Sequence, residues 1–254
     1  MTKLSVNINK IATIRNARGG NTPSVPEAAK AIENFGADGI TIHPRPDERH
    51  ITREDVQQLK NTVKTEFNIE GYPSELFINM VLNILPDQVT LVPDGPDVIT
   101  SNAGWECFEH QNFLTPITQK LKKAGIRVSI FVDPDPVQVE AALECGTDRI
   151  ELYTEAYASD YKTDKEKAIL PYTLAAEKAT ELGLGINAGH DLNLDNLSYF
   201  IQRIPNTLEV SIGHALISDA LYYGLNNASE NRSTTKGCHV NFFNSFLTNL
   251  IVIF

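Results

Sequence analysis

A chain of 254 residues, 42% of them hydrophobic and 21% charged, is long enough for one α/β domain of barrel size or for two smaller domains. Its formal net charge of −10 argues against general affinity for nucleic acid or for an anionic membrane. The three cysteines, Cys107, Cys145 and Cys238, are widely spaced and support neither a disulfide framework nor a zinc site.

The chain starts without the apolar core or cleavage motif of a signal peptide. No stretch approaches the roughly 18 apolar residues of a membrane span. We therefore expect a cytoplasmic protein. The charge is uneven, because residues 1–53 contain eight Lys/Arg and five Asp/Glu. This local excess predicts an anion site, such as a site for phosphate esters, with chance clustering as the alternative.

The predicted strands are short, apolar and bounded by Gly, Pro or Asp. They are Leu4–Ile8, Gly39–Ile42, Phe67–Glu70, Gln88–Val92, Arg127–Val132, Arg149–Tyr153, Gly185–Ala188 and Leu208–Ile212. The predicted helices are Ser24–Phe35, Thr52–Glu66, Ser74–Leu85, Glu106–Ala124 with a break near Pro116, Pro136–Cys145, Thr163–Leu182, Leu194–Ile204 and Ala215–Asn227. A basic loop is predicted after the first strand, and a long loop at Pro93–Gly104.

Strict alternation of apolar strands and helices indicates parallel pairing with the helices outside. Eight such units fit a closed (β/α)8 TIM barrel over residues 1–228 better than an open sheet. An open nucleotide-binding sheet would favour a GxGxxG loop after the first strand, where this chain has Asn-Lys-Ile-Ala-Thr. Residues 229–254 form an atypical tail, which either packs on the barrel, joins a subunit contact or reflects a sequence error.

In such barrels the reactive side chains lie at the C-terminal ends of the strands. The candidates at these ends are Asn7, Lys10, His43, Arg45, Glu70, Glu151, His190, Gly213 and His214, with His50 just beyond. A single histidine at such a position is more often a core or solvated residue. Three histidines at equivalent positions favour proton transfer.

Two Gly-His pairs, at 189–190 and 213–214, follow the last two strands. Phosphate often binds at these loops, because Gly lets backbone N–H groups approach an anion, although Gly also simply eases the exit from a strand. Arg18 and Arg45 are candidates for bidentate phosphate contacts or are solvated charges. Glu70, with apolar neighbours, is a candidate general acid or base, or the partner of an arginine. The sequence shows no metal-ligand constellation.

These segments together resemble the pyridoxine 5′-phosphate synthases of the vitamin B6 pathway, over about residues 4–228. The motifs are Val-Asn-Ile-Asn-Lys-Ile-Ala-Thr-Ile-Arg-Asn-Ala-Arg-Gly from Val6, Gly-Ala-Asp-Gly-Ile-Thr-Ile-His-Pro-Arg up to Arg45, Asp-Glu-Arg-His-Ile-Thr around His50, Phe-Asn-Ile-Glu up to Glu70, Val-Thr-Leu-Val-Pro from Val89, Asn-Ala-Gly-His up to His190 and Ile-Gly-His-Ala around Gly213. The resemblance implies a TIM-barrel transferase that condenses 1-deoxy-D-xylulose 5-phosphate with 3-amino-2-oxopropyl phosphate. The implied products are pyridoxine 5′-phosphate, phosphate and water, without a cofactor.

The resemblance also implies roles for individual residues. His43 and Glu70 correspond to an acid/base pair, His190 to a proton donor and Glu151 to a stabiliser of the transition state. Arg45, His50 and Thr100 would hold the deoxyxylulose phosphate. Asn7, Arg18, Gly213 and His214 would hold the amino-ketone phosphate. A lid at Pro93–Gly104 and a homo-octamer are expected on the same ground.

The chain departs from the family pattern at three places. Asn9-Lys10 stands where Asp-His is common, so Lys10 would contact phosphate as a point charge. Asp191 stands where a Gly usually follows the third histidine, which puts an acid near a proposed phosphate. The tail does not follow the family. Asn9, Lys10 and Asp191 remain candidate substrate-binding residues.

Two other readings of the function remain open. Another phosphosugar barrel enzyme is possible, but a Schiff-base aldolase needs a Lys inside a strand, and the predicted strands 2 to 8 contain none. An epimerase usually has paired Asp or metal-binding His on strands, which are not evident. A barrel that binds phosphorylated metabolites without turning them over is the third possibility.

Overall fold

The structure, a computed structural model, describes residues 1–94 and 103–229. Eight parallel strands pair in chain order, and β8 pairs with β1 to close the barrel. The strands are β1 (Lys3–Asn7), β2 (Gly39–Ile42), β3 (Glu66–Gly71), β4 (Gln88–Leu91), β5 (Arg127–Val132), β6 (Arg149–Tyr153), β7 (Gly185–Gly189) and β8 (Thr207–Ile212). The predicted (β/α)8 fold is therefore confirmed.

In the part of the chain that the structure describes, each strand is followed by one helix, except β1, which is followed by two. The helices are α1 (Asn9–Asn16), α2 (Val25–Asn34), α3 (Arg53–Thr62), α4 (Glu75–Ile84), α5 (Cys107–Lys123), α6 (Pro136–Glu144), α7 (Glu155–Glu181), α8 (Leu197–Arg203) and α9 (His214–Tyr223). Short polar side chains begin several of them, because Ser24, Ser74 and Asp135 each accept a backbone N–H of the first turn. No helix within the described residues is long and apolar enough to cross a membrane.

Two predictions for the segments between the strands were wrong. The segment predicted as a basic loop after β1 contains the helix α1, which buries Ile11, Ala12 and Arg15 on one face. The helix α5 continues through Pro116 without the predicted break, because Leu114 and the residues beyond it stay packed in the core. The helix predicted at Thr163–Leu182 corresponds to the second part of α7, after the non-helical Asp164, and a further helical segment from Glu155 precedes it.

The early start of α7 has a packing cause. Tyr157 is fully buried, and its ring lies edge-on to those of Tyr172 and Phe200. Asp164 has non-helical backbone angles, so α7 is two helical segments joined at a kink. Two helices end earlier than predicted. The helix α3 ends at Thr62, because β3 already starts at Glu66, and α9 ends at Tyr223, before Gly224.

The strands alternate between two environments. Residues that point outward are apolar and fully buried against the helices, such as Leu4, Ile40, Ile69 and Val89. Most residues that point inward are polar. They include Ser5, Thr41, Asn68, Thr90, Ser129, Glu151, Asn187, Glu209 and Ser211, all buried. The interior of this barrel is therefore a polar layer, in contrast to the branched apolar layers common in the fold.

Hydrogen bonds satisfy much of this interior. The hydroxyl oxygens of Ser5 and Thr41 lie 2.6 Å apart, and Asn68 Nδ2 donates to Thr41 Oγ1 at 3.3 Å. Thr90 Oγ1 lies 3.2 Å from both Asn68 Oδ1 and Glu151 Oε2. Since a buried polar group without a partner costs about 1–3 kcal/mol, this chain of contacts makes a buried Glu151 tolerable.

A buried ion pair ties α1 to α3. Arg15 Nη2 donates to Asp55 Oδ2 at 2.8 Å, and the side chains are only 8% and 4% exposed. Asp55 also accepts from the backbone N–H of Thr52 at 2.7 Å, which begins α3. Arg15 Nη2 donates further to the backbone carbonyl of His50 at 3.1 Å. The pair thus fixes the segment that carries His50.

Replacing Asp55 with Asn should lower the free energy of unfolding by about 3 kcal/mol, because a buried guanidinium loses its counter-charge. Urea unfolding followed by circular dichroism measures this loss. Glu54→Gln is the matched control, because Glu54 is the exposed neighbour on the same helix turn. Equal stability of the two variants would contradict the structural importance of the Arg15–Asp55 pair.

Candidate active site

A cavity of about 430 Å3 lies at the C-terminal ends of the strands. The predicted site residues that line it are Asn7, Asn9, Lys10, His43, Arg45, His50, Glu70, Glu151, His190, Asp191, Gly213 and His214. Two predicted residues are not among them. Arg18 is exposed in the turn after α1 and does not line the cavity, and Thr100 lies outside the described residues.

The alternation of the strands explains most of this convergence. The side chains of Asn7 and Glu70 point inward at the ends of β1 and β3, and Gly213 takes the corresponding position just after β8. Glu151 also points inward, two residues before the end of β6. Five further residues line the cavity that were not predicted from the sequence. They are Thr13, Arg49, Val92, Phe131 and Ser211. Val92, Phe131 and Ser211 point inward at the ends of predicted strands, and this position could have identified them.

His43 and Glu70 end neighbouring strands, and His43 Nδ1 lies 3.9 Å from Glu70 Oε2. Burial lowers the pKa of His43 well below 6.5, with Arg45 and His50 adding to the effect. Burial also raises the pKa of Glu70 well above 4.5, with Glu151 adding to it. Although the distance would suit an ion pair, both shifts favour the uncharged forms. The two shifts thus favour an imidazole beside a carboxylic acid over a charged pair.

Amide side chains from β1 and α1 hold this pair in place. Asn7 Nδ2 donates to Glu70 Oε2 at 3.3 Å, and Asn7 Oδ1 accepts from the backbone N–H of Asn9 at 3.1 Å. Asn9 Oδ1 in turn accepts the backbone N–H of His43 at 3.0 Å. Asn9 therefore positions the end of β2, a role that the sequence did not indicate.

His50 is a second neutral imidazole beside His43, with ring centroids 6.4 Å apart. Burial, with Arg45 next in importance, lowers the pKa of His50 to about 4. His50 Nδ1 accepts the backbone N–H of Ile51 at 2.9 Å, so the proton of the neutral ring is on Nε2. His50 can therefore donate one hydrogen bond to a ligand without carrying charge.

Glu151 is 2% exposed, and burial raises its pKa to about 7. Near neutral pH it can therefore gain or lose a proton with little energetic preference. Its position depends on Gly189 on the neighbouring strand. A Cβ at residue 189 would lie 2.2 Å from Glu151 Oε1, so any side chain there would displace the carboxyl group.

His190 and Asp191 form a strained turn after β7, with φ angles of 85° and 59°. His190 Nδ1 lies 2.8 Å from Asp191 Oδ2. The hydrogen bond with His190 lowers the pKa of Asp191, and the charges of His190 and His214 act in the same direction. The imidazole also lies edge-on to Tyr153, with ring centroids 5.0 Å apart.

Basic groups and a helix N-terminus line the rest of the cavity. Arg45 Nη2 donates to the buried Asp94 Oδ2 at 2.6 Å, so an anion at Arg45 would have to share it with this carboxylate. Gly213 precedes α9, and no side chain caps that helix. Its first backbone N–H groups therefore offer an anion site. His214 is exposed on the first turn.

The same end of the barrel also contains a smaller cavity beside the first. A second cavity of about 320 Å3 shares His43 and Arg45 but is otherwise lined by residues of α3, α4 and their loops, such as Tyr72 and Met80. It lacks the carboxyl groups of Glu70 and Glu151. Within residues 1–94 and 103–229, no group of three or more His, Cys, Asp or Glu side chains could hold a metal ion.

Fold and cavity together define a (β/α)8-barrel protein in which carboxyl groups, histidines and basic side chains meet at the C-terminal ends of the strands. The chain belongs to the family described as pyridoxal phosphate biosynthesis protein PdxJ, whose model matches residues 4–235. The resemblance to the pyridoxine 5′-phosphate synthases is thereby confirmed.

Curated relatives match most of the chain. The pyridoxine 5′-phosphate synthase of Cytophaga hutchinsonii is 64% identical over 227 residues, which are 89% of this chain and 95% of the relative. That of Flavobacterium johnsoniae is 61% identical, over 89% of this chain and 96% of the relative. Among solved structures, phosphoribosyl anthranilate isomerase from Thermococcus kodakaraensis superposes with a TM-score of 0.60 at 13% identity, covering 94% of this chain and 100% of that one. This last likeness shows the shared fold alone.

The raised pKa of Glu151 predicts a pH-dependent effect of replacing it. Between pH 4.5 and about 7 the folded protein keeps a proton on Glu151 that the unfolded chain has lost, so rising pH destabilises the parent through this group. Glu151→Gln cannot titrate and retains an acceptor for Thr90. Relative to the parent, its free energy of unfolding should rise between pH 5 and 8 by on the order of 3 kcal/mol.

Urea unfolding at several pH values measures this difference. Glu140→Gln, at an exposed position of α6, controls for the loss of a solvated carboxyl group. A difference between Glu151→Gln and the parent that stays constant across the pH range would show that Glu151 is ionised throughout.

Proposed function

We propose that this protein is a pyridoxine 5′-phosphate synthase. It condenses 1-deoxy-D-xylulose 5-phosphate with 3-amino-2-oxopropyl phosphate to pyridoxine 5′-phosphate, phosphate and water. Family membership and identities of 60–64% to named synthases support the reaction. The structural observation that carries the proposal is the pair of buried carboxyl groups with raised pKa values, Glu70 and Glu151, beside the neutral His43 in one cavity.

Proton transfer is the main requirement of this reaction. Forming an imine, losing water and phosphate and making the ring aromatic each need a proton to be added or removed. His43 is the proposed base, since a neutral imidazole accepts a proton. Glu70 is the proposed acid, since a protonated carboxyl group donates one. After one transfer the two exchange states, which prepares them for the next step.

Glu151 and His190 serve the later steps. Glu151 lies in the polar interior with a pKa near 7, so it can neutralise positive charge that develops on the substrate. His190 is half-exposed at the rim of the cavity, where it can protonate a leaving group. The positions of these side chains support the roles that the family resemblance implies.

The two phosphates are proposed to bind at opposite sides of the cavity. Arg45 and His50 hold the deoxyxylulose phosphate, with Lys10 contributing a positive charge. Gly213 and His214 hold the amino-ketone phosphate at the N-terminus of α9. Asn7 lies between the two sides and contacts Glu70. The proposed phosphate contacts of Thr100 and Arg18 rest on the resemblance alone.

The protein is further proposed to act as a cytoplasmic homo-oligomer, an octamer by family resemblance, with residues 1–228 as the catalytic domain. Exposed apolar side chains at the end of α9, Leu221, Tyr222 and Tyr223, support contacts between copies. Light scattering coupled to gel filtration measures the assembly size, and a monomer at micromolar concentration would refute the octamer.

The purified protein is incubated with both substrates, and pyridoxine 5′-phosphate and free phosphate are followed by chromatography. Equal amounts of both products are expected. Binding of both substrates without turnover would instead indicate a non-catalytic phosphometabolite-binding barrel.

Replacing Glu70 with Gln should lower kcat by about 100-fold or more, because the amide cannot supply a proton. Binding of both substrates should persist, since Gln keeps the size of Glu and Asn7 can still donate to it. Steady-state kinetics and calorimetry measure the two effects. Glu75→Gln, exposed at the start of α4, is the control. Parent-like turnover of Glu70→Gln would refute the role.

Replacing His190 with Asn should slow a late proton transfer and let an intermediate accumulate. Rapid-quench experiments under single-turnover conditions measure this accumulation. The matched variant His110→Asn removes an exposed imidazole on α5 and should leave the time course unchanged. A time course for His190→Asn that matches the parent would exclude His190 from the late step.

A further inference from the structure

The turn after β7 has a feature that the proposed reaction does not use, the direct contact between His190 and Asp191. We propose that Asp191 is a positioning residue that holds His190 through Nδ1, so that Nε2 is presented to the substrate. We propose further that the same carboxylate weakens phosphate binding at the neighbouring Gly213–His214 side. The first part rests on the proposed function, because it concerns the proton donated by His190.

The hydrogen bond defines the state of the imidazole. A carboxylate can only accept, and Asp191 Oδ2 lies 2.8 Å from His190 Nδ1. The proton of that bond is therefore on Nδ1. Nε2 is left for the substrate, in the neutral and the protonated ring alike. The edge-on contact with Tyr153, at 5.0 Å between centroids, restrains the ring plane from a second direction.

The backbone of this turn is held in an unfavourable conformation. Both residues have positive φ, which is uncommon for residues other than Gly, even though His and Asp adopt it more often than most. Thr154 Oγ1 donates to the carbonyl of Gly189 at 2.8 Å and also contacts that of His190. Asn196 Nδ2 donates to the carbonyl of Asp191 at 3.3 Å. Backbone strain that the surroundings hold in place is typical of functional turns.

The charge of Asp191 opposes that of its surroundings. Lys10, Arg45, Arg49 and His214 line the same cavity and suit phosphate esters. Asp191 is 43% exposed and lies close enough to His214 for the two charges to interact. Its negative charge therefore acts against a phosphate at the N-terminus of α9. Asp191 thus orients His190 and at the same time weakens the binding of the amino-ketone phosphate.

Two substitutions separate these effects. Asp191→Asn removes the charge but keeps an acceptor for His190 Nδ1, whereas Asp191→Gly removes both. Glycine adopts positive φ readily, so the turn retains its shape in the second variant. Asp195→Asn is the matched control, because Asp195 is exposed in the same loop and does not line the cavity.

Steady-state kinetics with both substrates should show a split between kcat and KM. The KM for 3-amino-2-oxopropyl phosphate should fall roughly fivefold in both Asp191 variants, because the repulsion is gone. The kcat should fall about tenfold or more in Asp191→Gly and less in Asp191→Asn. Asp195→Asn should match the parent. A higher KM in both variants would show that Asp191 binds the amine of the substrate, and an unchanged kcat would refute positioning.

Two measurements test the inference without turnover. Nitrogen-15 NMR of the imidazole should show a protonated Nδ1 on His190 in the parent and loss of that signal in Asp191→Gly. Calorimetry with inorganic phosphate should show tighter binding in both Asp191 variants and none of this gain in Asp195→Asn. A parent that makes no pyridoxine 5′-phosphate would refute the proposed function alone. An unprotonated Nδ1, or unchanged phosphate affinity, would overturn the role of Asp191.

Discussion

The two-residue alternation of a closed parallel barrel is the constraint on which this site depends. Outward residues such as Ile40 and Ile69 are buried against helices, and every inward residue must share a narrow interior with those of the other strands. The chain fills that interior with hydroxyl, amide and carboxyl groups that contact one another. The last inward position of each strand then faces the cavity, so register alone brings Asn7, Glu70 and Gly213 together.

Burial in that interior gives the site its electrostatic character. Carboxyl groups away from water and near one another favour their protonated forms, as at Glu70, Glu151 and, deeper in the barrel, Glu209, whose pKa rises to about 8. Histidines beside arginines favour their neutral forms. Carboxyl groups with raised pKa values and imidazoles with lowered pKa values thus lie side by side, and burial in one environment produces both shifts.

Most of the architecture could be predicted from the sequence, because Gly and Pro bound the apolar strands and the chemical side chains follow the strand ends. The helix α1 was missed because it is short, is polar on one face and is followed closely by Gly19 and Gly20. The pairs Arg15–Asp55 and Arg45–Asp94 were missed because only the folded chain brings partners so far apart in sequence together. A basic residue in a loop does not reveal whether it faces the cavity of its own chain, and Arg18 does not line that cavity.

The two glycines at the ends of β7 and β8 limit how the cavity can change. A Cβ at Gly189 would meet Glu151 Oε1 at 2.2 Å, and one at Gly213 would lie 3.0 Å from Asn7. A larger residue at either glycine would therefore displace Glu151 or Asn7. Val92 and Phe131 also line the cavity and form a small buried cluster with Tyr153. Efforts to adapt this enzyme to bulkier or smaller sugar phosphates should therefore begin at Val92 and Phe131, whose apolar side chains line the cavity without taking part in proton transfer.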